Sequence, residues 1–193
     1  MMGTNAIDNK YSKTARLTLC ALFAALMAIC SWISIPLPAG VPINLATLGV
    51  FLAAGLLGMK YGTISILTYI LLGAVGVPVF AGFRGGPSVI AGPTGGYIVG
   101  YIAAALIAGA IFAAGRRENE DSVKSSPSTA RIVGGCVAGL AACYALGTIW
   151  FIFLTKTGFA AAMLACVIPF LPGDALKIAA ATVLIRKIRP HIA

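Results

Sequence analysis

Asp174 and Lys177 stand three residues apart in the stretch Phe170-Leu171-Pro172-Gly173-Asp174-Ala175-Leu176-Lys177, late in a chain that is otherwise mostly apolar. Of the five acidic residues, Asp174 alone lies outside a polar tail or loop. Residues three apart share a face of a helix, so this acid and base can present their charges together. Pro172 suits the first turn of such a helix, and Gly173 lets the backbone bend into it. A paired acid and base can hold a polar, charged ligand or close on each other as a structural ion pair. The remaining chain has to decide between these.

The 193 residues are 60% hydrophobic and 10% charged, with a mean hydropathy of +0.98. A soluble domain carries about 25% charged residues, so this composition implies a polytopic membrane protein. The net charge of +9 does not point to nucleic acid, because the basic residues fall at the ends of apolar runs. Cys20, Cys30, Cys136, Cys143 and Cys166 lie within apolar runs without a CxxC and read as small buried hydrophobes. His191 is the lone histidine, which argues against a catalytic metal site. The N-terminus is polar to Thr14 and leads into a long apolar run without a small-residue cleavage site, so the first helix is expected to be retained.

A spanning helix needs about 20 apolar residues. The expected spans are 16–35, 44–59, 61–77, 94–115, 130–154 and a last one from about 172 to 186. Lys60 makes the tight turn between the second and third, and a Gly-rich connection, 80–93, precedes the fourth. Residues 116–129 form a polar loop, and 159–168 a short helix in or near the outer interface. The domain reading is a tail over 1–14, a six-helix unit over 15–189 and a tail over 190–193. The fold class is therefore an all-α membrane bundle.

Six spans put both termini on one side. With that side inside, eleven of the fourteen cations are cytoplasmic: Lys10, Lys13, Arg16, Lys60, Arg116, Arg117, Lys124, Arg131, Arg186, Lys187 and Arg189. The positive-inside rule favours this orientation, which also sets Trp32 and Trp150 at outer helix ends. Arg84 and Lys156 are then in outer loops, and Lys177 lies within the last helix. Asp174 is twelve residues before Arg186, or about 18 Å of helix against a hydrocarbon core of about 30 Å. An ionisable residue at that depth costs at least about 2.5 kcal/mol and normally faces a cavity or a partner. Two cations, Arg84 and Lys177, are available to one acid, which leaves one cation for an anionic ligand.

Small residues repeat at four-residue spacing: Ala21, Ala24, Ala25 and Ala28 in the first helix, Gly92, Gly96 and Gly100 at the fourth, Gly135 and Gly139 in the fifth. Such faces let helices approach closely in lipid. The glycines read as internal packing, whereas the first-helix alanines are candidates for an outside partner. Gly92-Pro93-Thr94-Gly95-Gly96-Tyr97 is not a Walker A motif, since no GxxxxGK[ST] occurs. Thr94 can cap the fourth helix through its hydroxyl, and the glycines would let a ligand approach the backbone.

Leu37-Pro38 with Val41-Pro42-Ile43, then Gly76-Val77-Pro78-Val79-Phe80-Ala81-Gly82, Gly92-Pro93-Thr94-Gly95-Gly96-Tyr97 and Pro169-Phe170-Leu171-Pro172-Gly173-Asp174 with Lys177, taken together, resemble the BioY family. These are biotin-specific substrate components (S components) of energy-coupling factor (ECF) transporters. The resemblance runs from about Ala15 to Arg186. It implies a compact bundle of six transmembrane helices with an outward-facing vitamin pocket and cytoplasmic termini, in a prokaryotic inner membrane. It also implies a membrane-embedded coupling subunit and two cytoplasmic ATPases as partners. Ala21, Ala24, Ala25 and Ala28 would then dock on the coupling subunit. The chain departs from the family pattern at Ala46, where a glutamine is usual, and Asn44 can supply the polar contact instead.

For biotin, the sequence offers Lys177 and Arg84 to the carboxylate and Asp174 to the ureido N–H groups. Asn44 and Thr94 stand in reserve, Tyr97, Phe80 and Phe83 can form walls, and Gly95 lies beside them. No cofactor, metal or catalytic residue is expected. The rival readings are another water-soluble vitamin, a structural subunit with a buried ion pair, and an intramembrane enzyme using Asp174. Against the last stand the missing HExxH and the lack of a Ser or Cys paired with a base.

Overall fold

The computed structural model describes residues 12–37, 40–114 and 127–192. Expectations for residues 1–11, most of the 116–129 loop and residue 193 lie outside these. Helix α1 (Lys13–Trp32) leads into a two-stranded antiparallel ribbon, β1 (Ser34–Ile35) and β2 (Ile43–Asn44). There follow α2 (Ala46–Ala74), α3 (Pro87–Ala91), α4 (Gly95–Ala113), α5 (Thr129–Thr155), α6 (Phe159–Cys166), a 3₁₀ turn (Ile168–Phe170) and α7 (Leu171–Ile192). Among the described residues, five helices are long and apolar enough to cross a membrane.

One of these five supplies two passes. Gly58 has φ +81° and ψ 175° inside α2, a conformation that glycine adopts without steric cost. A Cβ placed on Gly62 would come within 2.8 Å of the Ala53 carbonyl oxygen and 2.9 Å of Ala54 Cα. In a continuous helix, residues nine apart are about 13.5 Å apart along the axis, so the chain folds back at Gly58. The neighbours agree. Gly49, in the first arm, abuts Met27 and Cys30 near the end of α1. The second arm begins with Tyr61 against Cys20 and reaches Tyr69 against Ser31. The arms, 46–57 and 59–74, therefore run in opposite directions. The turn lies two residues before Lys60, because only glycine relieves the required backbone angle.

The other passes alternate around this hairpin. α4 and α5 form the most extensive helix pair. They run antiparallel, with Gly96 against Trp150, Gly100 against Cys143, Gly139 against Ala104 and Gly135 against Phe112. The four-residue glycine repeats are thus internal packing, as expected. α7 runs parallel to the first arm of α2, placing Asp174 by Thr47 and Ile185 by Gly55. Arg186 Nη1 reaches Thr129 Oγ1 at 2.8 Å, and Arg16 Nη1 reaches the Tyr61 hydroxyl at 2.9 Å. The start of α1 and the end of α7 thus share one end of the bundle. α7 continues beyond Arg186 through Pro190, which sits in the final turn where it forfeits a single main-chain bond.

α1 divides its alanines. Ala24 and Ala28 are buried against α2, whereas Ala21 and Ala25 are exposed beside Leu17, Leu22 and Ile29. The face available to a partner is therefore narrower than the four alanines suggest, because Ala24 and Ala28 are already covered by the chain itself. Exposed apolar side chains continue around the bundle, through Leu71, Ile149, Phe153, Leu176 and Val183. Such a belt suits lipid.

Gly62→Ala should destabilise the protein by about 1–3 kcal/mol, because backbone lies in the path of the new methyl. Gly134, with nothing within 4 Å of its Cβ position, is the control. Thermal unfolding of both variants in detergent tests this, and equal melting temperatures would contradict the hairpin contact.

Candidate functional site

The first turn of α7 carries Asp174. Asp174, Lys177, Ala181 and Ile185 are buried on one stripe of the helix, while Leu176 and Val183 face outward. The three-residue spacing therefore turns both charges inward. Lys177 Nζ donates to Asp174 Oδ1 at 2.8 Å, and Thr47 Oγ1, from the first arm of α2, donates to the same oxygen at 3.3 Å. Tyr144, on α5, donates its hydroxyl hydrogen bond to Asp174 Oδ2. Three helices thus meet on one carboxylate, and each of its oxygens has a donor. Side-chain exposures of 6% for Lys177 and 4% for Asp174 mean that water cannot screen the pair. Removing one partner would leave the other as an uncompensated buried charge.

The pair lines one lobe of a cleft at the end of the bundle away from both described chain ends. Thr47, Leu140, Cys143, Tyr144 and Phe170 complete that lobe. A second lobe is lined by Tyr69, Phe80, Ala81, Arg84, Val89, Thr94 and Ile98. Val41, Pro42, Asn44, Tyr97 and Tyr101 border both, so the two are continuous. Counting the open mouth, the Arg84 lobe holds about 360 Å³ and the Asp174 lobe about 380 Å³ of space between atoms.

The walls are fixed by hydrogen bonds and close packing. The Tyr97 hydroxyl pairs with Thr148 Oγ1 at 3.1 Å, and its ring lies where a Cβ on Gly147 would be. Phe80 is buried edge-to-face on Tyr69, with centroids 5.5 Å apart, and Tyr69 is held by Ser31 at 2.7 Å. The connection between α2 and α4 is pinned at both ends by tryptophan. Trp32 Nε1 donates to the Pro78 carbonyl, and Trp150 Nε1 to that of Gly92, both at 2.9 Å.

The sequence-predicted residues are not all gathered here. Asp174, Lys177, Arg84, Asn44, Thr94, Tyr97 and Phe80 line the cleft. Gly95 does not. It packs beneath Ile90, whose carbonyl oxygen would be 1.6 Å from an added Cβ. Phe83 turns outward and stacks on Trp32 at 5.0 Å. Thr94 occupies the cap position of α4, but its hydroxyl donates back to Val89 O at 3.4 Å rather than capping the helix. Asn44 Oδ1 accepts from the Ala46 N–H at 3.0 Å, and Tyr101 borders the same two lobes. Ala46, in place of the usual glutamine, is wholly buried in the first turn of α2. Arg84 is exposed at its lobe, with Nε on the Ala81 carbonyl at 3.2 Å.

Sequence reasoning did not single out Thr47, Tyr69, Tyr101 or Tyr144. Thr47 directly follows Ala46, where the chain departs from the family pattern. Tyr144 is 30 residues from Asp174, and no spacing rule joins them.

The BioY family model matches residues 4–193. The chain belongs to the BioY family. Its BioY relatives include a protein of Pyrococcus horikoshii described as a probable biotin transporter BioY. It is 37% identical over 177 residues, covering 92% of this chain and 98% of the relative. The biotin transporter BioY of Rhodobacter capsulatus is 35% identical over 183 residues, covering 90% and 93%. That of Thermotoga maritima is 45% identical over 126 residues, covering 65% and 68%. Among solved structures, the S-component for biotin from an ECF-type ABC transporter superposes with a TM-score of 0.79 at 28% identity over 92% of each chain. The BioY helical arrangement is therefore shared well beyond the motifs.

Asp174→Ala or Lys177→Ala should each cost about 3–5 kcal/mol of stability, and the double variant clearly less than their sum. Unfolding in detergent measures all three. Strict additivity would mean that the two charges do not depend on each other.

Proposed function

We infer that this chain captures biotin as the substrate component of an energy-coupling factor transporter in a prokaryotic cytoplasmic membrane. The observation that carries this is the distribution of charge along the cleft. At one end a buried acid is matched by its own lysine, and at the other an exposed arginine has no acidic partner among the described residues. Between them the walls are mainly aromatic and aliphatic.

Biotin has the same sequence of properties. Its ureido ring carries N–H donors beside a carbonyl, its thiolane and chain are apolar, and its far end is a carboxylate. The Asp174 lobe suits the ureido ring, because a carboxylate is the strongest acceptor available to N–H donors. Lys177 is already matched by Asp174, so the ligand carboxylate belongs at Arg84, whose planar guanidinium suits two-point contact. Tyr69, Phe80, Tyr97 and Tyr101 would flank the apolar middle. Asn44 and Thr94 remain within reach as reserves, and Gly95 acts only through packing. Relatives and a structural neighbour named for biotin support the same ligand.

The membrane orientation follows from charge. Lys13, Arg16, Lys60, Arg131, Arg186, Lys187 and Arg189 gather at the end holding the described chain ends. The positive-inside rule makes that end cytoplasmic and the cleft outward-facing. The chain has no nucleotide-binding motif, so energy for uptake comes from partners: a membrane-embedded coupling subunit and two cytoplasmic ATPases. This reading uses no cofactor, metal or nucleic acid, and the chain is not itself an enzyme. The exposed Ala21 and Ala25 provide a surface where another helix can pack closely.

Calorimetric titration of the purified chain should give tight one-to-one binding of biotin but not of thiamine or riboflavin. Asp174→Asn should weaken it at least about tenfold by removing a charge-assisted bond. A chain that binds no biotin would overturn the assignment. Ala21→Leu with Ala25→Leu should abolish uptake in cells carrying the partner subunits yet leave biotin affinity unchanged. Loss of binding as well would show that these alanines serve the bundle itself.

A further inference from the structure

We propose that Tyr144 is the specificity-determining partner of Asp174, its phenol donating to the ligand carbonyl while Asp174 accepts the neighbouring N–H. The proposal rests on the biotin reading above and concerns how the ureido ring is read. Asp174 Oδ1 already takes two donors, from Lys177 at 2.8 Å and Thr47 at 3.3 Å. Among the described residues, Oδ2 takes the Tyr144 hydroxyl alone. Oδ2 is therefore the oxygen with capacity to turn toward a ligand, and Tyr144 is the group beside it. Both residues line the same lobe.

The two sides match in kind. A ureido ring presents an N–H donor next to a carbonyl acceptor. Asp174 Oδ2 and the Tyr144 hydroxyl present an acceptor next to a donor. A phenol both donates and accepts and can rotate its hydrogen. In the structure that hydrogen is directed at Oδ2, where it satisfies the buried carboxylate. An arriving N–H can take its place on Oδ2, and the phenol hydrogen then passes to the adjacent carbonyl. The exchange leaves every buried polar group paired, which is the condition for a low-cost polar contact in a dry site. The Lys177 ammonium keeps further N–H donors but sits on Oδ1, whereas the Tyr144 hydroxyl is the donor beside Oδ2.

The test compares biotin with 2-thiobiotin, whose thiocarbonyl keeps both N–H donors but is a weak acceptor, and with desthiobiotin, which keeps the whole ureido group. Titrations use the full chain in detergent. Wild type should prefer biotin to 2-thiobiotin by about tenfold or more, and Tyr144→Phe should bring that ratio close to one. The ratio of biotin to desthiobiotin should be the same in both proteins. A purely structural tyrosine would weaken all three ligands alike and leave the first ratio intact, which would overturn the proposal. If Tyr144→Phe does not fold, 3-fluorotyrosine at 144 decides the matter. It keeps the hydroxyl but makes it a stronger donor, so the preference for biotin over 2-thiobiotin should widen. An unchanged ratio there also overturns it. Failure of wild type to bind biotin is a different result and removes the ligand assignment itself.

Discussion

The Asp174–Lys177 ion pair constrains everything around it. Two ions taken from water lose hydration worth several kcal/mol each, and their attraction offsets that only with good geometry and further hydrogen bonds. The structure meets this demand with donors on three elements: Lys177 on α7 itself, Thr47 on the first arm of α2 and Tyr144 on α5. Each of these helices must therefore be held in register with the first turns of α7. A slip of one residue in any of them would take a donor away from the carboxylate.

That precision comes from small residues. Lipid provides no hydrophobic force to drive helices together, so close packing has to do it. Gly55 admits Ile185 between the first arm of α2 and α7, and the α4–α5 pair closes through Gly96, Gly100, Gly135 and Gly139. Gly147 on α5 leaves room for the Tyr97 ring against that helix, which sets one wall of the cleft. The glycines and the ion pair thus belong to one arrangement. The first group fixes helix spacing, and the second uses that spacing to assemble a charged centre from distant segments.

Much of this was legible before the structure. The apolar runs marked the passes, and the i, i+3 spacing brought Asp174 and Lys177 onto the inward stripe of α7. The glycine repeats announced close packing. What stayed hidden was tertiary. The reversal at Gly58 resembles any glycine within an apolar run, so Lys60 drew the turn toward itself as the nearest polar residue. Thr94 has the right type and position for a cap, yet its hydroxyl finds the Val89 carbonyl first. Phe83 looks like a pocket wall in sequence, but at φ +56° it is turned out onto Trp32. Tyr144 is one tyrosine in a long apolar helix, and nothing local distinguishes it. Types and periods reveal which residues can do chemistry, while the partners of a buried charge depend on which helices meet.

α1 shows how the cleft and the outer surface of the bundle are joined. Among the described residues, neither lobe is lined by α1. Yet α1 is bonded to the elements that do line them at three points near its C-terminal end. Ser31 holds the Tyr69 hydroxyl, the Cys30 carbonyl accepts from the Leu45 N–H beside Asn44, and Trp32 holds the Pro78 carbonyl beside Phe80. The same helix also carries the exposed Ala21–Ala25 stripe. A rigid helix fixed in this way cannot shift along its axis without moving Tyr69, the start of α2 and the connection that carries Phe80. The cleft and the exposed alanine stripe are therefore separate surfaces on one mechanical element, joined through three hydrogen bonds.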